Sequence, residues 1–153
     1  MKKLMLICSL MVMIASACSK NSEDDYSAQQ AKLDDDVIQA WLATNKLVGT
    51  RDASGLYYVV QTNGTGAVAT SSSTVNFNYT GQFTDGTTYV SGNVNTVVGS
   101  AEIKGWQIGL TKINKGGRIL LLIPSALAYG QGGKGTIPAN KVLIHTVDML
   151  SIN

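Results

Sequence analysis

A chain of 153 residues, 44% hydrophobic and 14% charged, has room for one globular core and is too short for two comfortable ones. Of its twelve basic residues Lys2 and Lys3 lie at the extreme N-terminus, and without them ten basic residues balance ten acidic ones. There is no basic stripe with interleaved aromatics, so nucleic acid is not an expected partner. One histidine, His145, and two cysteines, Cys8 and Cys18, exclude a zinc site of the usual ligands and any catalytic triad not built on that single imidazole.

Lys2 and Lys3 precede an apolar run from Leu4 to Ile14 and the small residues Ala15-Ser16-Ala17, the pattern of an export signal over residues 1–17. The run falls short of the roughly 20 residues that span a bilayer, and no later segment comes closer. Cleavage after Ala17 exposes Cys18, and small residues before a cysteine resemble the lipobox of bacterial lipoproteins, although Ala15 stands where leucine is usual. A lipid on Cys18 is therefore expected to anchor the exported chain to a membrane, facing the periplasm or the cell surface. With Cys8 lost in the signal, Cys18 is left without an intramolecular disulfide partner.

Residues 18–33 begin "CSKNSEDDYS", polar and without periodicity, and read as a tether. Asp34, Asp35 and Asp36 then precede Val37, Ile38, Trp41 and Leu42, acids where a helix N-terminus favours them and apolar residues at helical spacing. This predicts a helix over 34–45 within an N-terminal extension over 34–54. The remaining domain, 55–153, reads mainly as strand: 56–61, 74–80 with alternating Val75, Phe77 and Tyr79, 95–99, 118–123 and 141–150. Asp85-Gly86 supplies a tight-turn signal. The one helical interruption is "EIKGWQIGLTKI", where Ile103, Trp106, Leu110 and Ile113 recur at three and four and must rest on a sheet. About five antiparallel strands wrapped on one short helix give an α+β half-roll.

The motifs of common chemistries fail on inspection. Gly130, Gly132 and Gly135 form a G-x-G-x-x-G after an apolar strand, yet Thr136-Ile137-Pro138 cannot open a helix to hold a pyrophosphate, and no cofactor is expected. His145 shares a strand face with Leu143, Val147 and Met149, which reads as a core or pocket-wall position. If it lines a pocket, ligand affinity should change between about pH 5.5 and 7.5, since a free imidazole titrates near 6.5.

What remains is a set of aromatic and aliphatic residues in four blocks, "VNFNYTGQFTDGTTYVSG", "EIKGWQIGL", "GGRILLLIPSALAYG" and "GTIPANKVLIHTVDML". In sequence and order they resemble the successive blocks of the FKBP-type peptidyl-prolyl isomerases, over roughly residues 55–151. The resemblance implies a twisted antiparallel sheet wrapped on a short helix, an FKBP-like half-roll, with a shallow apolar pocket between. It implies Trp106 as the pocket floor, with Tyr79, Tyr89 and Tyr129 as its aromatic walls. Ile103 would be a wall whose backbone N–H binds a substrate carbonyl, Ala128 would help present Tyr129, Ile137 would close the rim, and a tyrosine hydroxyl would hold the chain. The expected partners are proline-containing polypeptides. Where the family usually has an aspartate after the pocket aromatic, this chain has Val90. Glu102 replaces an aliphatic residue and His145 an aromatic one. A weak isomerase and a proline-peptide binding or chaperone module with little turnover are both compatible with those departures.

Overall fold

A computed structural model describes residues 19–153, so the export signal expected over 1–17 and the expected lipid site Cys18 lie outside the described residues. The chain divides into two compact units, one ending at Gln30 and one running from Ala31 to Asn153. In the first, the residues from Ser19 onward are the opening turns of α1 (Ser19–Thr44). The sequence reads 18–33 as a tether, whereas this stretch is helical from Ser19. It lacks proline and glycine, and Ala28, Gln29, Gln30, Ala31, Lys32 and Leu33 are good helix formers that need no apolar stripe to be helical. Among the described residues no helix is long and apolar enough to cross a membrane.

The second unit is built on a six-stranded antiparallel sheet in the order β1-β2-β7-β8-β4-β5. Its strands are β1 (Thr50–Arg51), β2 (Tyr57–Thr62), β4 (Thr74–Gln82), β5 (Thr88–Val97), β7 (Arg118–Ile123) and β8 (Leu143–Ile152). A separate ribbon pairs β3 (Thr65–Val68) with β6 (Asn114–Lys115). The five long strands correspond to those expected, and the turn at Asp85-Gly86 joins β4 to β5, with Gly86 at φ 89°. The β5 strand starts earlier than the sequence suggests. Its polar residues are paid for across the edge, where Asn93 exchanges amide hydrogen bonds with Asn76 and donates to Asn78 at 2.9 Å. The last two residues of the strand expected over 95–99, Val98 and Gly99, lie instead in a 3₁₀ turn over Val98–Ser100.

The sheet is covered on both faces, which explains why β7 reads as an unbroken apolar run. Ile119, Leu121 and Ile123 point into the main core, while Leu120 and Leu122 join Ile38 and Leu42 of α1 in a second cluster. The α1 helix thus packs on its own domain, with Val37 left exposed and Ile38 fully buried. A polar contact locks it there: the buried Asp34 carboxylate accepts the Ser125 N–H at 2.8 Å and the Ser125 hydroxyl at 2.7 Å. Ser125 opens a 3₁₀ turn just after Pro124 and leads to Tyr129, so the helix fixes the root of that loop.

On the other face lies α2 (Lys104–Gly109), continued by a 3₁₀ turn through Lys112. Its backbone sits close enough to β7 that a side chain would not fit at two positions one turn apart. A Cβ on Gly105 would lie 2.5 Å from Cγ2 of Ile123, and one on Gly109 would lie 2.6 Å from a Leu121 methyl. This close approach seats Trp106 against the sheet, edge-on to Phe77 at 5.3 Å between centroids and to Tyr79 at 4.7 Å.

Two stability effects follow. Asp34→Ala should cost about 2–3 kcal/mol, because it leaves a buried N–H and hydroxyl that had paired with a charged group, measured as a lower midpoint of urea unfolding. Gly105→Ala should destabilise by about 1–2 kcal/mol despite alanine's better helix propensity, since Ile123 is β-branched, fully buried and unable to swing away. An unchanged midpoint in that variant would show that the helix can lift off the sheet freely.

Candidate functional site

Strand alternation carries the chain from core to cavity. On β4, Val75 and Phe77 are fully buried, and the next residues on that face are Tyr79 and Gly81. On the neighbouring β8 the same face carries Met149, Val147, His145 and Leu143, with Gly81 directly opposite His145. On the other side β5 pairs regularly with β4 as far as Gly81↔Val90 and then slips, so that Gln82 meets Thr88 and Tyr89 has no partner. Such a bulge re-aims side chains. Here it lets two consecutive residues, Tyr89 and Val90, both border one cavity.

That cavity encloses about 320 Å³ and opens between the sheet, α2 and the loop after β7. Trp106 and His145 form its floor, and Tyr79, Tyr89 and Tyr129 form its walls. Ile137 and Val90 also line it. Ile103 and Ala128 do not border it: the Ile103 side chain is buried in the core and Ala128 packs against that core. Ile103 is the N-cap residue of α2, in extended conformation, and its carbonyl accepts from Trp106 N–H at 3.0 Å. Its place there serves the helix start that orients the indole.

The floor is polar in a way the sequence concealed. The indole Nε1–H of Trp106 donates to Nδ1 of His145 at 2.8 Å, and Nε2 of His145 lies 2.5 Å from the Tyr89 hydroxyl. Burial draws the His145 pKa down to about 4, which keeps the ring neutral at ordinary pH even though it lines the cavity. The titration window expected at pH 5.5–7.5 for a pocket-lining imidazole is therefore displaced downward. Burial also pushes the Tyr89 and Tyr79 hydroxyls above the usual phenol range.

At the rim, charge replaces the expected open hydroxyl. Tyr129 donates to Glu102 Oε1 at 2.9 Å, and the same oxygen accepts from Lys134 of the glycine loop. Pairing with Lys134 holds the Glu102 carboxyl below its usual range, while burial and Glu102 raise the Tyr129 hydroxyl. The Glu102 and Lys134 side chains were not anticipated as site residues; the signals were Glu102 where an aliphatic residue is usual and Lys134 as the one charge in the glycine-rich stretch 130–135. The loop itself is a closed structure, with Lys134 and Ile137 exchanging backbone hydrogen bonds at 2.9 Å. Gly133, at φ 61°, has no space for a side chain against the Ile137 carbonyl.

A half-roll with an indole-floored aromatic cavity finds clear counterparts. Residues 66–150 match the model of the FKBP-type peptidyl-prolyl cis-trans isomerase family. An FKBP-type peptidyl-prolyl cis-trans isomerase FkpA of Aeromonas hydrophila is 38% identical over 135 residues, 80% of this chain and 50% of that protein. The FkpA of Escherichia coli strain K12 is 35% identical over 143 residues, 91% of this chain and 52% of its own length. The crystal structure of Escherichia coli FkpA superposes with a TM-score of 0.69 at 29% identity, covering 87% of this chain and 67% of that one. A peptidyl-prolyl cis-trans isomerase from Pseudomonas syringae pv. tomato, 23% identical, shares the fold with a TM-score of 0.68 over 83% of this chain and 96% of its own. This chain spans about half the length of the sequence relatives it matches. The matched segment carries Tyr79, Tyr89, Trp106, Tyr129 and His145 together, and by sequence and fold alike the chain belongs to the FKBP-type peptidyl-prolyl cis-trans isomerase family.

Proposed function

We propose that the chain is a peptidyl-prolyl cis-trans isomerase acting on X-Pro bonds of exported polypeptides. The observation that carries this reading is the cavity itself, about 320 Å³ of concave aromatic surface with Trp106 at its base and Tyr129 at its lip. Rotation about a prolyl amide must pass a barrier near 18–20 kcal/mol because resonance is lost at the twist. Unaided, it takes tens to hundreds of seconds. The twisted amide is less charge-separated than the planar one, so a site poor in water favours it over the better hydrated ground state. No proton transfer or nucleophile is required, and a thousandfold acceleration asks for only about 4 kcal/mol. The backbone N–H of Ile103 is the group assigned to hold a substrate carbonyl. The export signal over 1–17 and a lipid on Cys18 would place the domain at a membrane surface, where unfolded exported chains expose prolines.

A second reading, a proline-peptide binding module with little turnover, is favoured by two features. Val90 brings no acid to the cavity, and the Tyr129 hydroxyl is already committed to Glu102. A protease-coupled assay on Ala-X-Pro-Phe peptides separates the two. The isomerase reading expects rates above buffer for at least some X. Rates equal to buffer, with indole fluorescence quenched by peptide in a Trp41→Phe background, would leave the binding module.

The imidazole makes a pH prediction for either reading. Folded, His145 stays neutral down to about 4, while in the unfolded chain it binds a proton near 6.5, so protonation favours unfolding between those values. Its contribution to stability is complete above about pH 6.5 and is lost as pH falls toward 4, a loss of about 3 kcal/mol. Peptide affinity should accordingly be flat from pH 5.5 to 7.5. A step centred near 6.5 would mean that the ring titrates as if exposed.

A further inference from the structure

Three tyrosine hydroxyls share the cavity, and their hydrogen bonds distinguish them. Tyr129 spends its proton on Glu102. Tyr79 makes no side-chain hydrogen bond among the described residues, so nothing fixes the direction of its O–H. The Tyr89 hydroxyl meets His145, and the other ring nitrogen of that histidine determines what the contact must be. An indole N–H can only donate, so Nδ1 of His145, which faces Trp106 at 2.8 Å, carries no proton. A neutral imidazole then holds its proton on Nε2, and Nε2–H donates to the Tyr89 oxygen. The Tyr89 hydroxyl is thereby used as an acceptor, and its own proton finds no acceptor among the described residues.

The ring that carries this proton is held from both sides. Phe83 stacks on Tyr89 at 4.7 Å between centroids and 26° between planes. Opposite, Gly81 leaves the space the phenol needs: a Cβ there would lie 2.8 Å from Cζ and 2.9 Å from the hydroxyl oxygen of Tyr89. The bulge in β5, the missing side chain at Gly81 and the directly opposed His145 together place one oriented O–H at the wall of the cavity.

We propose that the Tyr89 hydroxyl is the side-chain hydrogen-bond donor that this pocket offers to a carbonyl oxygen of the prolyl peptide, beside the backbone N–H of Ile103, and that it is oriented by a relay running from Trp106 through His145. Tyr89 is then a substrate-contacting residue and His145 a positioning residue. The inference rests on the isomerase reading above and goes beyond it by naming the donor and the device that aims it.

The test compares the full chain with its Tyr89→Phe variant, which keeps the ring and its packing, in the coupled assay with Ala-Leu-Pro-Phe peptide. Loss of the donor should lower kcat/KM about tenfold, the effect of one neutral hydrogen bond made in the transition state. The Gly81→Ala variant, which keeps the hydroxyl but displaces the ring, should lower it as well. Wild-type turnover that is unchanged in Tyr89→Phe overturns the proposal and leaves the isomerase reading intact. Absent wild-type turnover overturns that reading, and the donor loses the reaction it was assigned to. An independent measurement is the nitrogen NMR spectrum of His145 at pH 7: the Nε2–H tautomer is expected, and an Nδ1–H tautomer breaks the relay whatever the activity shows.

Discussion

A buried indole must find an acceptor for its one N–H, or the interior bears the full cost of stripping that group of water. Here the acceptor is Nδ1 of His145, and much of the site is a consequence of that pairing. It requires α2 to lie close on the sheet, which Gly105 and Gly109 permit, and it requires β8 to present an imidazole where its neighbours Leu143 and Val147 are apolar. It also decides the tautomer of the ring, and through that the polarity of the contact with Tyr89. A floor that looks from composition like plain aromatic packing is a directed chain of donors.

The rim obeys a different constraint. Glu102, Lys134 and Tyr129 are joined through one carboxylate oxygen, binding the loop before α2 to the glycine loop across the mouth of the cavity. Exposed pairs of this kind contribute little to stability. Their effect is on access: a peptide that reaches the Tyr129 hydroxyl competes with Glu102 for it, whereas Tyr89, deeper in the wall, has no such competitor among the described residues.

Much of the frame was legible in the sequence because burial writes itself as periodicity. The alternation of Val75, Phe77 and Tyr79 marked β4, and the apolar run at 118–123 marked the strand β7, whose burial on both faces the structure adds. The parts that could not be read depend on partners far away in the chain. Within residues 88–94, Asn93 pairs with Asn76 and Asn78 of β4, and Ser91 and Gly92 precede it, so no apolar alternation announces the strand. The helical stretch over 19–33 is supported by local propensity with no stripe to reveal it. His145 looked like either core or pocket wall and is both, because one ring edge meets Trp106 and the other meets Tyr89. Ile103 was expected as a pocket wall that acts through its backbone N–H; its side chain serves the core, since as N-cap it sits where the helix joins the hydrophobic interior.

The seat of α1 on the reverse of the sheet bears on where this domain can be cut. The family match starts at residue 66, beyond α1 and β2. A fragment trimmed to that limit would bare Leu120, Leu122 and Ile144 to solvent and release Ser125 from its carboxylate clasp, turning the back of the half-roll into an adhesive surface. The smallest self-sufficient piece therefore starts upstream of Asp34, well outside the limits of the family match.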